Sequence, residues 1–226
     1  MILRRLLAEG IGSMLLAAAV IGSGVMAQRL ANGNDAVALL ANTGATVAVL
    51  ATLIAMLGPV SGAHFNPAVS VIQFVRGQLS ARLASTYVLM QIGGCCAGAL
   101  LAHAMFELPL LEVSAHVRAG PAQWLSEVIA TSGLILVVLS SATADAAAWR
   151  VAAWIGAAYW FTASTSFANP AITIARALTD TFAGIRPADA PFFIAAQFVG
   201  AFVGLYIGRL LFGRAGVKRA EPVTTA

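Results

Sequence analysis

Two tripeptides in this 226-residue chain combine side chains and spacing suited to handling a solute: Asn66-Pro67-Ala68 and Asn169-Pro170-Ala171. Asparagine is a good helix N-cap, and proline is favoured at the first helical position, where its missing N–H costs nothing. Each tripeptide therefore predicts a helix start. Such a start carries roughly half a positive charge, and the asparagine adds amide N–H donors. Two of them facing one lumen would repel a cation or proton and offer donors to a neutral hydroxylic solute. A single Asn-Pro is common at helix starts in any protein. Two copies at matching places in a repeated chain are a far stronger signal.

The elements that must position these starts follow from composition. The chain is 60% hydrophobic and 10% charged, with a mean hydropathy of +0.87, whereas a soluble domain is about a quarter charged. Apolar runs fall at about 6–27, 36–57, 82–104, 122–143, 149–163 and 190–211. At roughly 20 residues per crossing, these predict six transmembrane helices. Two shorter runs, about 66–76 and 169–179, each open on Asn-Pro. They are too short to cross and read as re-entrant half-helices. The expected fold is thus an all-α membrane protein, with a single membrane domain over 1–226 and a flexible tail at 214–226.

The chain also repeats itself. AEGIGSMLLAAAV from Ala8 resembles SEVIATSGLILVV from Ser126, FNPAVSV from Phe65 resembles ANPAITI from Ala168, and QIGGCCAGALLA from Gln91 resembles QFVGAFVGLYIG from Gln197. This sets repeat one at about 5–115 and repeat two at about 120–213. Three crossings per repeat is an odd number, so the second copy must be inverted. Inverted repeats place a site near the midplane, where broken helices meet.

Glu9 and Glu127 occur once per repeat, each within a span. Intramembrane carboxylates mark function by default, which makes a proton relay one reading. The other is a buried carboxylate accepting hydrogen bonds from a re-entrant loop's backbone, which lipid cannot satisfy. The symmetric placement favours the second.

Several classes are excluded or disfavoured. The net charge of +4 comes from basic residues flanking apolar runs, with no basic-aromatic stripe, so no nucleic-acid partner is expected. Cys95 and Cys96 are adjacent and point in different directions on a helix; no metal-ligand spacing accompanies them. No catalytic constellation, metal or cofactor is expected, and the chain is not read as an enzyme. The N-terminal apolar run is long and has a partner later in the chain, so it reads as the first span and not as a signal peptide. With a cytoplasmic N-terminus, nine basic residues (Arg4, Arg5, Arg76, Arg82, Arg150, Arg209, Arg214, Lys218 and Arg219) lie inside against four (Arg29, Arg118, Arg176 and Arg186) outside. The positive-inside rule favours that orientation.

Both Asn-Pro-Ala motifs, the SGAHFNPAVS context, Glu9, Glu127 and the repeat order resemble the aquaporin (major intrinsic protein) family over residues 5–212. The resemblance implies six spans plus two half-helices, one pore per protomer and a homotetramer in a lipid bilayer. Half-helix ends that exclude protons and cations are a known property of such pores. The ITIAR and TDTFAGIRP segments also resemble aquaporin relatives associated with bacterial arsenic-resistance genes, which implies an inner-membrane location and polyols or arsenous acid as permeants.

Members of the family narrow again on the outer side, in many cases with an arginine directly after the second Asn-Pro-Ala. Carried over by ungapped counting, the filter here comprises Thr46, Ala157, Ser166 or its neighbour, and Ile172 where the arginine is usual. This set is small, mixed and uncharged, and predicts an opening wider than water needs. Arg176 lies one turn on. It either pairs with Asp180 at the rim, which the spacing favours, or reaches back to the vacant position. Tyr159, Trp160, Phe161 and Phe167 are expected chiefly between helices or in the interfacial belt.

The leading reading is a passive channel for small neutral solutes that excludes ions and protons. Alternatives are a proton-coupled secondary transporter, a strict water channel or a non-conducting tetramer.

Overall fold

The computed structural model describes residues 2–141 and 143–213, so the expected flexible tail lies outside the described residues. Eight helices follow in order: α1 (Ile2–Leu30), α2 (Asp35–Ser61), α3 (Pro67–Val75), α4 (Ala81–Met105), α5 (Pro121–Ser140), α6 (Ala144–Phe161), α7 (Pro170–Arg176) and α8 (Ala190–Phe212). Six are long, α3 and α7 are short, and no strand occurs among the described residues. Five of the long helices have the length and apolarity to cross a membrane. The sixth, α6, has 18 residues and carries Asp145 and Arg150 in its first turns. Its length is about 27 Å at 1.5 Å per residue.

Local chemistry sets most of the boundaries. Asn34, Ser80 and Thr143 cap α2, α4 and α6 through their side chains. Gly62, at φ 93°, closes α2 in the left-handed region that disfavours other residues. Asn66 caps α3 and Asn169 caps α7, each with proline in the first turn, as the tripeptides predict. The second half-helix is shorter than the sequence suggests: it stops at Arg176, not near residue 179.

The halves pack alike. α1 packs most extensively on α4, and α5 on α8. Lipid gives no hydrophobic drive between helices, so close approach must come from small residues. A Cβ at Gly94 or Gly98 would collide with the backbone carbonyls of Gly10 or Met14, and one at Gly200 or Gly204 with those of Val128 or Ser132. The same small-xxx-small spacing thus joins both helix pairs. Each long helix crosses once, so the chain's start and the end of α8 share one face, here the near face. The 106–120 and 177–189 segments lie on the opposite, far face.

Candidate pore and its two constrictions

Glu9 and Glu127 are each fully buried and do the same work. Glu9 accepts from the Ser61 hydroxyl (2.6 Å), the His64 and Phe65 N–H groups (3.0 and 2.8 Å) and the Gln91 amide (2.8 Å). Glu127 accepts from the Ser164 hydroxyl (2.6 Å), the Phe167 and Ala168 N–H groups (2.9 and 2.8 Å) and the Gln197 amide (2.7 Å). Both glutamines then donate to a half-helix hydroxyl, Ser70 or Thr173, at 2.9 Å. The carboxylates therefore hold the two re-entrant loops. Those loops need holding. Ala63, Phe65, Thr165, Ser166 and Ala168 all have φ between 47° and 58°, a region that costs a non-glycine residue about 1 kcal/mol or more.

Held this way, the half-helices meet start to start. The Asn66 amide nitrogen donates to the Ala168 carbonyl and that of Asn169 to the Phe65 carbonyl, both at 2.8 Å. Their side-chain oxygens cap the helices, Asn66 on the Ala68 N–H and Asn169 on those of Ala171 and Ile172. Each NH2 group has two N–H bonds, and the cross-loop contact uses one. Asn66 and Asn169 both line one long cavity. Pro67, Ala68, Pro170 and Ala171 are buried at the helix starts.

Toward the near face the cavity is walled by Leu50, Ile54, Leu134, Val138 and Val151, then by Gly62, His64 and Gln73. The His64 Nδ1 lies 3.0 Å from the Ser70 hydroxyl, and its ring stands edge-on to Tyr87. A second, more open cavity, which adds Arg5, Arg76 and Gln78, shares Gly62, His64 and Gln73 with the first. It forms a basic near vestibule.

The far end holds Thr46, Tyr159, Ser166, Phe167, Ile172 and Arg176. Thr46 Oγ1 is 3.5 Å from the Tyr159 hydroxyl. Ser166 is 2% exposed and its hydroxyl has no protein partner. Arg176 is 4% exposed. Its Nε donates to the Ala183 carbonyl, and its guanidinium carbon lies 3.4 Å from the centre of the Phe167 ring.

Three expectations change here. Ala157 is exposed on α6 and does not line the cavity; Val151, Ile155 and Tyr159 do. Two residues along a helix turn the side chain by about 200°, so ungapped counting placed the fifth-span position on the wrong face. Arg176 does not pair with Asp180. The helix ends at Arg176, so i,i+4 geometry is not continued, and the Asp180 carboxylate accepts from the Ala115 N–H at 2.9 Å instead. Tyr159 and Phe167 line the cavity, whereas Trp160 and Phe161 are exposed on the outer surface. A signal for Phe167 existed: it stands two residues before Asn169, as His64 does before Asn66.

Arg118, unremarked in the sequence beyond its charge, donates from Nε to the Gly184 carbonyl at 2.8 Å, and its guanidinium also sits over Phe167 at 5.2 Å. Burial lowers its proton affinity below the ordinary value for arginine, with Glu127 and Tyr159 opposing. Nearby His116 is also lowered, by burial first and then by Arg118.

Comparison with known proteins agrees with this geometry. The family model described as Major intrinsic protein matches residues 1–148. The chain is 50% identical over 225 residues to aquaglyceroporin AqpS of Rhizobium meliloti (strain 1021), covering 98% of this chain and 96% of that protein. It is 35% identical over 143 residues to the lens fiber major intrinsic protein of Gallus gallus, covering 61% and 53%. The solved structure of the aquaglyceroporin from Plasmodium falciparum superposes with a TM-score of 0.67 over 95% of this chain and 96% of that one; at 19% identity the likeness is one of fold. With both Asn-Pro-Ala helix starts facing a single cavity through the helix bundle, the chain belongs to the major intrinsic protein family of membrane channels.

Proposed function

We propose that the protein is a passive channel with a filter wider than water requires, conducting glycerol-like polyols, arsenous acid or similar neutral hydroxylated solutes, and water. The observation that carries this reading is the far end of the cavity. The same stretch is lined by polar residues, Thr46, Tyr159 and Arg176, and by apolar ones, Ile172 and Phe167, with the Arg176 guanidinium stacked on the Phe167 ring. A polyol offers both kinds of surface, a carbon edge and a hydroxyl edge. The aquaglyceroporin name of the Rhizobium meliloti relative supports the same solute class.

In this reading Thr46, Tyr159, Ser166, Ile172 and Arg176 form the filter, and Asn66 and Asn169 the central constriction. Arg176 takes up the cationic role from one turn further along the helix. Together with the two helix starts it opposes cations and protons. Proton coupling through Glu9 or Glu127 is disfavoured, since both carboxylates are committed to backbone and side-chain donors. The protein works as a homotetramer in a bacterial inner membrane with both termini cytoplasmic, an orientation supported by the basic residues of the near face.

The test is Ile172→Arg in proteoliposomes. A second guanidinium beside Arg176 is expected to cut glycerol flux several-fold while water flux persists, read by stopped-flow swelling. Unchanged glycerol permeation would remove Ile172 from the filter.

A further inference from the structure

Arg118 lies between α4 and α5, in a stretch that runs beside 177–186. The Glu112 and Ser114 N–H groups donate to the Leu178 and Ala177 carbonyls, and the Arg186 N–H donates to the His116 carbonyl at 2.7 Å. The Arg118 N–H itself donates to Asp189 Oδ2 at 2.9 Å. This fixes the arginine's backbone, so its side chain has a defined place to reach from.

That side chain meets three successive carbonyls shared between two arginines. Arg118 donates to Phe182 (3.4 Å) and Gly184 (2.8 Å), while Arg176 donates to Ala183 between them. The strip can lie this close because residue 184 is glycine: a Cβ there would collide with the Ser114 hydroxyl and the Thr179 carbonyl. Both guanidinium groups also sit over the ring of Phe167, at 5.2 and 3.4 Å. Two like charges on one aromatic side chain are held by carbonyl dipoles and the ring's negative face. Phe167 and Arg176 line the far cavity, whereas Arg118 stands behind them.

We propose that Arg118 is a positioning residue for solute selection: by clamping Phe167 and the 182–184 carbonyls, it fixes where Phe167 and Arg176 stand and so sets the largest solute the far constriction passes. The inference rests on the channel reading above. A planar fork serving two carbonyls and a ring face is a task for arginine; lysine offers a point charge on a flexible stem.

The experiment uses the full-length protein in proteoliposomes and compares the wild type with Arg118→Ala, Arg118→Lys, Phe167→Leu and the two double variants. It reads the permeability ratio of xylitol to glycerol, with water flux as the measure of open channels. The ratio is expected to rise several-fold in Arg118→Ala, with water flux per folded protein retained, and to be only partly restored in Arg118→Lys. In the Phe167→Leu background, neither Arg118 change is expected to add a further shift, because the effect travels through the ring. If Arg118→Ala folds too poorly to assay, Arg118→Lys with and without Phe167→Leu gives the same comparison. A ratio unchanged by Arg118 substitution, all fluxes falling together with folded yield, or additive shifts with Phe167→Leu would each overturn the proposal. Water and glycerol flux through the wild type tests the channel reading separately.

Discussion

Glu127→Ala is expected to abolish most folded protein, the largest effect of any single substitution considered. Four donors lose their acceptor together: the Phe167 and Ala168 N–H groups, the Ser164 hydroxyl and the Gln197 amide. Each buried donor left unpaired costs about 1–3 kcal/mol, and the loop it leaves behind holds three left-handed non-glycine residues, Thr165, Ser166 and Ala168. The Asn169 helix start would then be free to shift from its contact with the Phe65 carbonyl. Monodisperse yield in detergent and thermal unfolding measure the loss. Glu127→Gln separates the structural role from a proton relay. The amide turns one acceptor oxygen into a donor facing donors, so a structural carboxylate predicts a fall in stability nearly as large as for alanine. A well-folded Glu127→Gln protein with blocked transport would instead indicate a relay. By the repeat symmetry, Glu9 variants should behave alike.

Arg176→Ala is expected to leave the protein folded and to change what passes through it. The substitution removes the guanidinium that lines the far cavity and stacks on Phe167. The opening widens and loses a cation at the same time. Permeability to four- and five-carbon polyols should rise roughly tenfold relative to glycerol, equivalent to about 1.4 kcal/mol of barrier. Proton exclusion should weaken but survive, because the two half-helix starts remain. Swelling assays with a graded polyol series read the first effect, and a pH-sensitive dye inside the vesicles reads the second. An unchanged polyol ratio in folded Arg176→Ala protein would move the size limit elsewhere.

The helix starts at Asn66 and Asn169 were legible in the sequence because N-capping and proline placement are local chemistry. Glu9 and Glu127 were legible because the repeat placed them in register, although their donors were not. The structure adds Ser61, Gln91, Ser164 and Gln197, each at matching positions in the two halves. The far constriction was harder to read. Thr46, Ser166 and Ile172 line the cavity as counting suggested, but Ala157 does not, since a small shift in register rotates a helical residue off the pore face. The pairing favoured for Arg176 assumed a helix continuing to Asp180, whereas α7 ends at Arg176. Arg118 could not be found by pattern. It lies in irregular chain, and its role depends on a carbonyl strip more than sixty residues away, with |i−j| of 66 to Gly184. Contacts of that range carry no periodic trace.

The central claim is that neutral solutes cross passively through a pore that protons do not use. The most direct test measures glycerol uptake and lumenal pH together in proteoliposomes under an imposed proton gradient, with and without an uncoupler. The account predicts uptake that follows the glycerol gradient alone, unaffected by the uncoupler, with no pH change accompanying the solute. Uptake that collapses with the uncoupler, or lumenal acidification that depends on glycerol, would contradict it.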